Sequence, residues 1–123
     1  MLFRSHWANL EARIVQYNVM NPDTPRVVPD AKPVPYAVFS HPQIGAIGLT
    51  ERAAIRDGIP YISITHEYSN TAFGWALEDT TSFVKLIADP TGTHLLGAHI
   101  IGPQAATLVQ LLVQGMHLGN TIS

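Results

Sequence analysis

The side chains best able to do chemistry here are six histidines and nine acidic residues, and the sequence has no cysteine. His94 and His99 are separated by an odd number of residues, so on one strand they would face opposite ways. The other histidines fall in separate predicted elements, with no His-Glu-x-x-His pair. Glu78 and Asp79 are adjacent, so their carboxylates would point apart rather than act together. The sequence therefore predicts no metal site and no catalytic residues.

Motifs that hold a nucleotide are also missing. Gly45 and Gly48 do not form the glycine fingerprint of a dinucleotide fold, and no P-loop or Gly-x-Ser-x-Gly elbow occurs. Tyr68, Phe73 and Trp75 could stack on the ring of a ligand. Such aromatic clusters more often cover a sheet edge or anchor an interface. We therefore predict that this chain binds no cofactor by itself.

The composition is that of one small domain with few charges. Charged residues make up 13% of the 123 residues, about half the usual share, and the net charge is −2. This balance does not favour nucleic-acid binding, and no apolar run is long enough to span a membrane. The first four residues, Met1-Leu2-Phe3-Arg4, do not begin the apolar stretch of a signal peptide, so we expect none. Together with the missing cysteines, this indicates a cytoplasmic protein.

The elements that position these residues fall into three segments. Apolar residues at three- and four-residue steps predict a helix over 5–20. Five prolines between 22 and 35 predict an extended linker instead of regular structure. We place the boundaries at 1–21 for the terminal helix, 22–33 for the linker and 34–123 for the main domain.

Alternating apolar residues and turn signals predict an α+β main domain, an antiparallel sheet with helices packed on one side. Strands are expected over 36–40, resuming at 46–49, and over 59–68, 80–88 and 93–101. Thr50 and Gly58 would cap a short helix over 51–57. Residues 69–79 are predicted to be a loop, and Pro103 to open a final helix that runs to about Leu118.

The final helix is apolar on more than one side. Ala105, Val109 and Leu112 belong to one stripe, yet other apolar residues lie off it, and nothing from 103 to 116 is charged. A core helix wrapped by its own domain would also fit this pattern, but so short a chain has little left to wrap it. We therefore predict a homodimer. The residues expected at its interface are Tyr68, Trp75, Leu108, Leu111, Leu112 and Met116.

Two sequence blocks resemble one known domain. The run VPYAVFSHPQIGAIGLTE over 34–51, and FVKLIAD over 83–89 with LLGAHIIGP over 95–103, are similar to the C-terminal dimerisation domain of the pyridine nucleotide-disulfide oxidoreductases. The segment 68–79 is most similar to the mycothione reductase branch. The resemblance implies a parent enzyme that uses FAD and NADPH to reduce a disulfide. It also implies that this chain pairs with itself and with the FAD and NAD(P)H domains of that parent.

Much of what such an enzyme needs is missing from this sequence. The resemblance implies an FAD fold, a cysteine pair, an NAD(P)H domain and a catalytic His-Pro motif near the C-terminus, and none of these occurs. His41-Pro42 is not that motif, because it lies in the first strand region. We expect a chain truncated at both ends and inactive alone, with helix 5–20 left over from the FAD domain. The alternatives are a free-standing ligand-binding or regulatory domain, or a small enzyme that uses the Tyr68, Phe73 and Trp75 loop.

Overall fold

The computed structural model describes residues 5–30 and 32–122, and the chain divides into two compact units between Val34 and Pro35. In the first unit, α1 (Ser5–Met20) forms where it was predicted. The Asn18 carboxamide donates to the Val27 carbonyl and accepts from the Val27 N–H, each at 2.8 Å. These two bonds fold the proline-containing segment back onto its own helix.

The second unit is built on five antiparallel strands in the order β1-β2-β5-β4-β3. Their bounds are β1 (Tyr36–Val38), β2 (Gln43–Gly48), β3 (Ile62–Glu67), β4 (Phe83–Ala88) and β5 (Leu95–Gly102). The turn between β4 and β5 closes through a bond of 2.9 Å from the Gly92 N–H to the Asp89 carbonyl. The α+β antiparallel fold predicted from the sequence is confirmed.

Two short helices follow local signals of different strength. In α2 (Glu51–Asp57), Thr50 caps the first turn and Gly58 ends the helix with a φ of +66°, as predicted. The prediction of a plain loop over 69–79 is wrong, because it holds a 3₁₀ turn and α3 (Ala72–Ala76). Gly74 lets α3 press on the turn, since a Cβ there would collide with the Tyr68 carbonyl. A tertiary contact of this kind leaves no periodic pattern in the sequence.

The last helix, α4 (Ala105–Leu118), begins two residues later than predicted. Gln104 adopts a left-handed conformation, with φ at +58°, and this separates Pro103 from the helix. The start of α4 crosses Gly45 so closely that a Cβ would strike the Ala105 carbonyl. The core lies beneath α4. Its buried members are Ile47, Tyr68, Ala98, Ile100, Ala105 and Val109.

The helices cover opposite faces of the sheet, although the sequence predicted them on one side. Residues paired across antiparallel strands point to the same face, and neighbours along a strand alternate. Leu86 and Ala98 pair on the α4 face, and their neighbours Lys85 and His99 pair on the other. Lys85 bonds Glu51 of α2. Each face of the sheet is therefore covered in part by its own helix, α4 on one face and α2 on the other.

Candidate interaction surface

The two flanks of α4 have different surroundings. The Ala106 N–H contacts the Gln43 side chain at 3.5 Å, so this flank faces β2. The opposite flank therefore points across β4 and β3. Its outer residues recur at helical spacing and range from partly buried at Gly115 to 73% exposed at Leu111. They are Leu108, Leu111, Gly115 and Leu118.

An apolar surface of the sheet lies beside this flank. Val84 and Leu86 of β4 form its floor and are only partly buried. Ile62 and Ile64 of the edge strand β3 form its far rim, because their register places them on the same face as Leu86. Ile64 is 64% exposed. We call this surface the α4 groove, and its residues are Ile62, Ile64, Val84, Leu86, Leu108, Leu111 and Gly115.

The α4 groove contains no aspartate, glutamate, lysine or arginine. His66, which follows Ile64 on the same face of β3, is the one titratable side chain in that row. An apolar surface of this kind is costly to leave in water and marks a contact site when it is contiguous. The groove is therefore suited to another apolar surface and not to a charged or phosphorylated ligand.

On the opposite face, polar contacts join α2 to the sheet. Lys85 of β4 donates to the Glu51 carboxylate of α2, and Ser63 of β3 donates to the same carboxylate at 2.7 Å. The bond from Lys85, followed by that from Ser63, holds the pKa of Glu51 below its usual range. The His99 ring lies 2.9 Å from the Leu49 carbonyl through Nε2. These contacts tie α2 to the sheet.

The six residues predicted at the interface differ in how far they are buried in the structure. The sequence predicts Tyr68 there, but its ring is 6% exposed and belongs to this chain's own core. Its hydroxyl donates to the Pro103 carbonyl at 3.2 Å, and burial raises its pKa. Leu112 and Met116 are partly buried against that core. Trp75, Leu108 and Leu111 are exposed, although Trp75 lies on α3 and not in the α4 groove.

Sequence reasoning missed the strand side of the groove. Ile62 and Ile64 alternate with polar residues, which predicts one apolar face, but the pattern does not reveal that β3 is an edge strand. Val84 and Leu86 alternate in the same way and resemble ordinary core residues. Their partial exposure follows from the position of α4 over β1, β2 and β5, which leaves β4 and β3 uncovered on this face.

The other sites considered from the sequence are dispersed. His41 is exposed and precedes a cis-proline in the turn between β1 and β2. Within residues 5–30 and 32–122, no three metal-ligating side chains of histidine, aspartate or glutamate come together. Phe73 and Trp75 are both exposed, whereas Tyr68, the third aromatic residue of the predicted cluster, is buried. None of the helices described is long and apolar enough to cross a membrane.

Known proteins are similar to this chain in sequence and in fold. Residues 34–123 match the family described as pyridine nucleotide-disulphide oxidoreductase, dimerisation domain. Mycothione reductase of Mycobacterium tuberculosis (strain ATCC 25618 / H37Rv) is 45% identical over 119 residues, which are 94% of this chain and 26% of that protein. Dihydrolipoyl dehydrogenase of Halobacterium salinarum (strain ATCC 700922 / JCM 11081 / NRC-1) is 36% identical over 93 residues, covering 76% of this chain and 20% of that protein.

A solved structure of a related reductase has a similar fold. The HOCl-induced flavoprotein disulfide reductase RclA from Escherichia coli superposes with a TM-score of 0.71 at 26% identity. The match covers 88% of this chain and 25% of that one, so the chain spans about a quarter of the relatives' length. The family match covers the whole sheet, α2, α3 and α4. The chain therefore belongs to the pyridine nucleotide-disulphide oxidoreductase dimerisation-domain family.

Proposed function

We propose that this chain is a self-association module, in which two copies bury their α4 grooves against each other. The observation that carries the proposal is the uncharged groove beside α4, where Leu111 is 73% exposed. Each copy presents both an apolar helix flank and an apolar strand rim. A two-fold axis would place the flank of one copy on the rim of the other.

A second copy fits the groove better than an unrelated partner does. A two-fold interface needs one surface that complements itself, and a surface without charges avoids placing like charges together. Obligate homodimers bury more than about 2,000 Å² in total and resemble a divided core. Leu112 and Met116, partly buried already, would then lose their remaining exposure in the same contact. Trp75 would lie outside the centre of such an interface.

We further propose that the parent protein is an FAD- and NADPH-dependent disulfide reductase, with mycothiol disulfide as its substrate. The 45% identity to mycothione reductase supports this substrate class. The residues of this chain do not fit a flavin or a dinucleotide, because no glycine fingerprint follows any strand. FAD and NADPH would be held by domains with which this chain associates. The chain alone would supply subunit pairing and no catalytic group.

Sedimentation equilibrium of the chain tests the pairing directly. We expect a dimer for the unaltered chain and a monomer for Leu111→Glu, because the carboxylate would be stranded in the apolar contact. Ile55→Glu is the matched control. Ile55 is 71% exposed on α2, on the opposite face of the sheet, so this variant should remain dimeric. A monomeric unaltered chain at high micromolar concentration would contradict the proposal.

A further inference from the structure

The α-helices of the second unit end in the same way but not with the same residue. Each is followed, within two residues, by a position with a positive φ, which glycine adopts without strain. Gly58 follows α2 with φ at +66°, and Gly119 follows α4 with φ at +68°. The corresponding residue after α3 is Glu78, with φ at +53°. Its N–H donates to the Trp75 carbonyl at 3.0 Å, a helix-ending motif in which glycine is the favoured residue.

The contacts of the chain itself do not explain a glutamate at this position. The Glu78 side chain is exposed, and its carboxylate makes no hydrogen bond or ion pair with residues 5–30 and 32–122. The neighbouring Asp79 differs, because its carboxylate accepts from the Thr81 and Ser82 N–H groups at 3.0 and 2.9 Å. Asp79 therefore holds the loop together, whereas Glu78 places an unpaired charge on a strained backbone.

The side chain of Glu78 lines a cleft that also contains Trp75. The cleft has a volume of about 310 Å³, and the Trp75 side chain is 77% exposed beside it. Ser69 and Thr80 belong to the same lining, which, as far as the structure describes it, includes no lysine, arginine or histidine. The Trp75 N–H donates to the Thr71 carbonyl at 2.8 Å, which fixes the backbone that carries the indole ring.

An indole beside an unpaired carboxylate is suited to a planar cation. The face of an indole attracts cations more strongly than the face of any other aromatic side chain. A carboxylate binds a guanidinium well, because two parallel N–H groups donate to its two oxygens. The guanidinium group is also planar and weakly hydrated, so it stacks readily on an aromatic ring. An anion would instead be repelled by the carboxylates of Glu78 and Asp79.

We propose that the cleft beside Trp75 binds a guanidinium group, which stacks on the indole and is held by the Glu78 carboxylate. An arginine side chain of another protein and a free guanidinium compound present the same group, and the experiment below distinguishes them. The cleft lies beside α3 within one copy of the chain and shares no residue with the α4 groove. The proposal is therefore independent of the proposed pairing.

NMR titration of the isotope-labelled chain with capped arginine (N-acetyl-arginine amide) tests the proposal. The chain has two tryptophans, so the indole N–H signal that disappears in Trp75→Phe is assigned to Trp75. We expect this signal to shift saturably with capped arginine and with methylguanidinium. Tighter binding of capped arginine would identify a protein side chain as the source, and equal binding a free compound. Capped citrulline has the same shape without the charge, and an equal shift with it would overturn the proposal.

Substitutions at the cleft separate binding from structure. Glu78→Gln should weaken the binding of capped arginine by about fivefold or more, because it removes the charge and keeps the size. Phe73→Leu is the matched control. Phe73 is 56% exposed on α3 but does not line the cleft, so binding should not change in this variant. An unchanged affinity in Glu78→Gln would contradict the proposal.

Glu78→Gly should abolish binding and raise the melting temperature, because glycine adopts the positive φ without strain. A lower melting temperature in Glu78→Gly would show that Glu78 is structural and would overturn the proposal. The affinity for capped arginine should be the same in the Leu111→Glu variant, which is expected to be monomeric. A failure of the proposed pairing would therefore leave the binding result intact.

Discussion

The α2 face of the sheet is held by charged and polar side chains, whereas the α4 groove on the other face has no charged residue. Glu51, Ser63 and Lys85 join α2, β3 and β4 through hydrogen bonds within one chain. The α4 face has a complete core beneath the helix but an open flank beside it. On the first face α2 is joined to the sheet by polar contacts, and on the second a contiguous row of apolar residues lies beside α4.

This difference is consistent with the chemistry of burial. A charged pair at a partly exposed site keeps much of its hydration, and its cost is low. Charges inside a buried contact between subunits would lose that hydration and would destabilise the contact unless they were well paired. Ion pairs therefore cost little on a face that remains in water, whereas they would destabilise a face that becomes buried against a partner.

The largest expected effect is a difference in the free energy of unfolding between substitutions on the core side of α4 and substitutions on its open flank. In the monomeric Leu111→Glu background, Ile47→Ala should lower the free energy of unfolding by about 3 kcal/mol, because Ile47 is fully buried under α4. Leu118→Ala on the open flank should cost less than about 0.5 kcal/mol. Urea unfolding measures both. Equal losses would mean that the flank is part of the monomer core.

A smaller effect is expected from the α2 face. Glu51→Gln should lower the melting temperature at pH 7, because it removes the carboxylate that Lys85 and Ser63 bind. The pKa of Glu51 lies below its ordinary value of 4.5 in the folded chain, so this stabilisation is complete at neutral pH. It is lost as the pH falls through the lowered pKa.

The difference in melting temperature between Glu51→Gln and the unaltered chain should therefore disappear in acid. Lys85→Gln, which removes the other end of the same contact, should show the same trend at neutral pH. A difference that persists at pH 2 would show that Glu51 acts through packing and not through its charge.

The smallest effect should come from removing the first 33 residues. The chain forms two compact units, and both faces of the sheet belong to the second. We expect the melting temperature to change by less than about 2 °C, which corresponds to a few tenths of a kcal/mol. Calorimetry checks this. Unfolding of the shortened chain would show that the first unit is needed by the sheet.

Local signals in the sequence predicted the parts of the fold that depend on neighbouring residues. Thr50 and Gly58 fix the ends of α2 because a cap and a left-handed glycine act within one turn. The start of α4 was misplaced because Gln104, which is not a glycine, takes a left-handed conformation. Its φ depends on the packing of β5 and α4, and nothing in the local sequence indicates it.

The sequence analysis predicted the helix residues of the candidate surface and missed its strand residues. Leu108 and Leu111 stood out because α4 is apolar on too many sides for one small sheet. Tyr68 was predicted at the interface, and its burial in this chain's core could not be predicted, because its hydroxyl bonds Pro103, 35 positions away. Predicting that Ile62 and Ile64 form the rim requires the strand order, and the strand order depends on contacts between residues that are distant in the sequence.

The strand order also bears on how the chain folds. The pairing of β4 with β5 is local, because Ala88 and Leu95 are joined by a short turn. The pairing of β2 with β5 is not local, because the chain between Gly48 and Gly97 must first close as a loop. Non-local pairing of this kind slows folding more than it changes stability. Because α4 contacts both β2 and β5, it fastens the two halves of the sheet only after that loop has closed. Until then β2 and β5 expose the apolar face that α4 covers in the folded chain, and refolding at low protein concentration should give the highest yield.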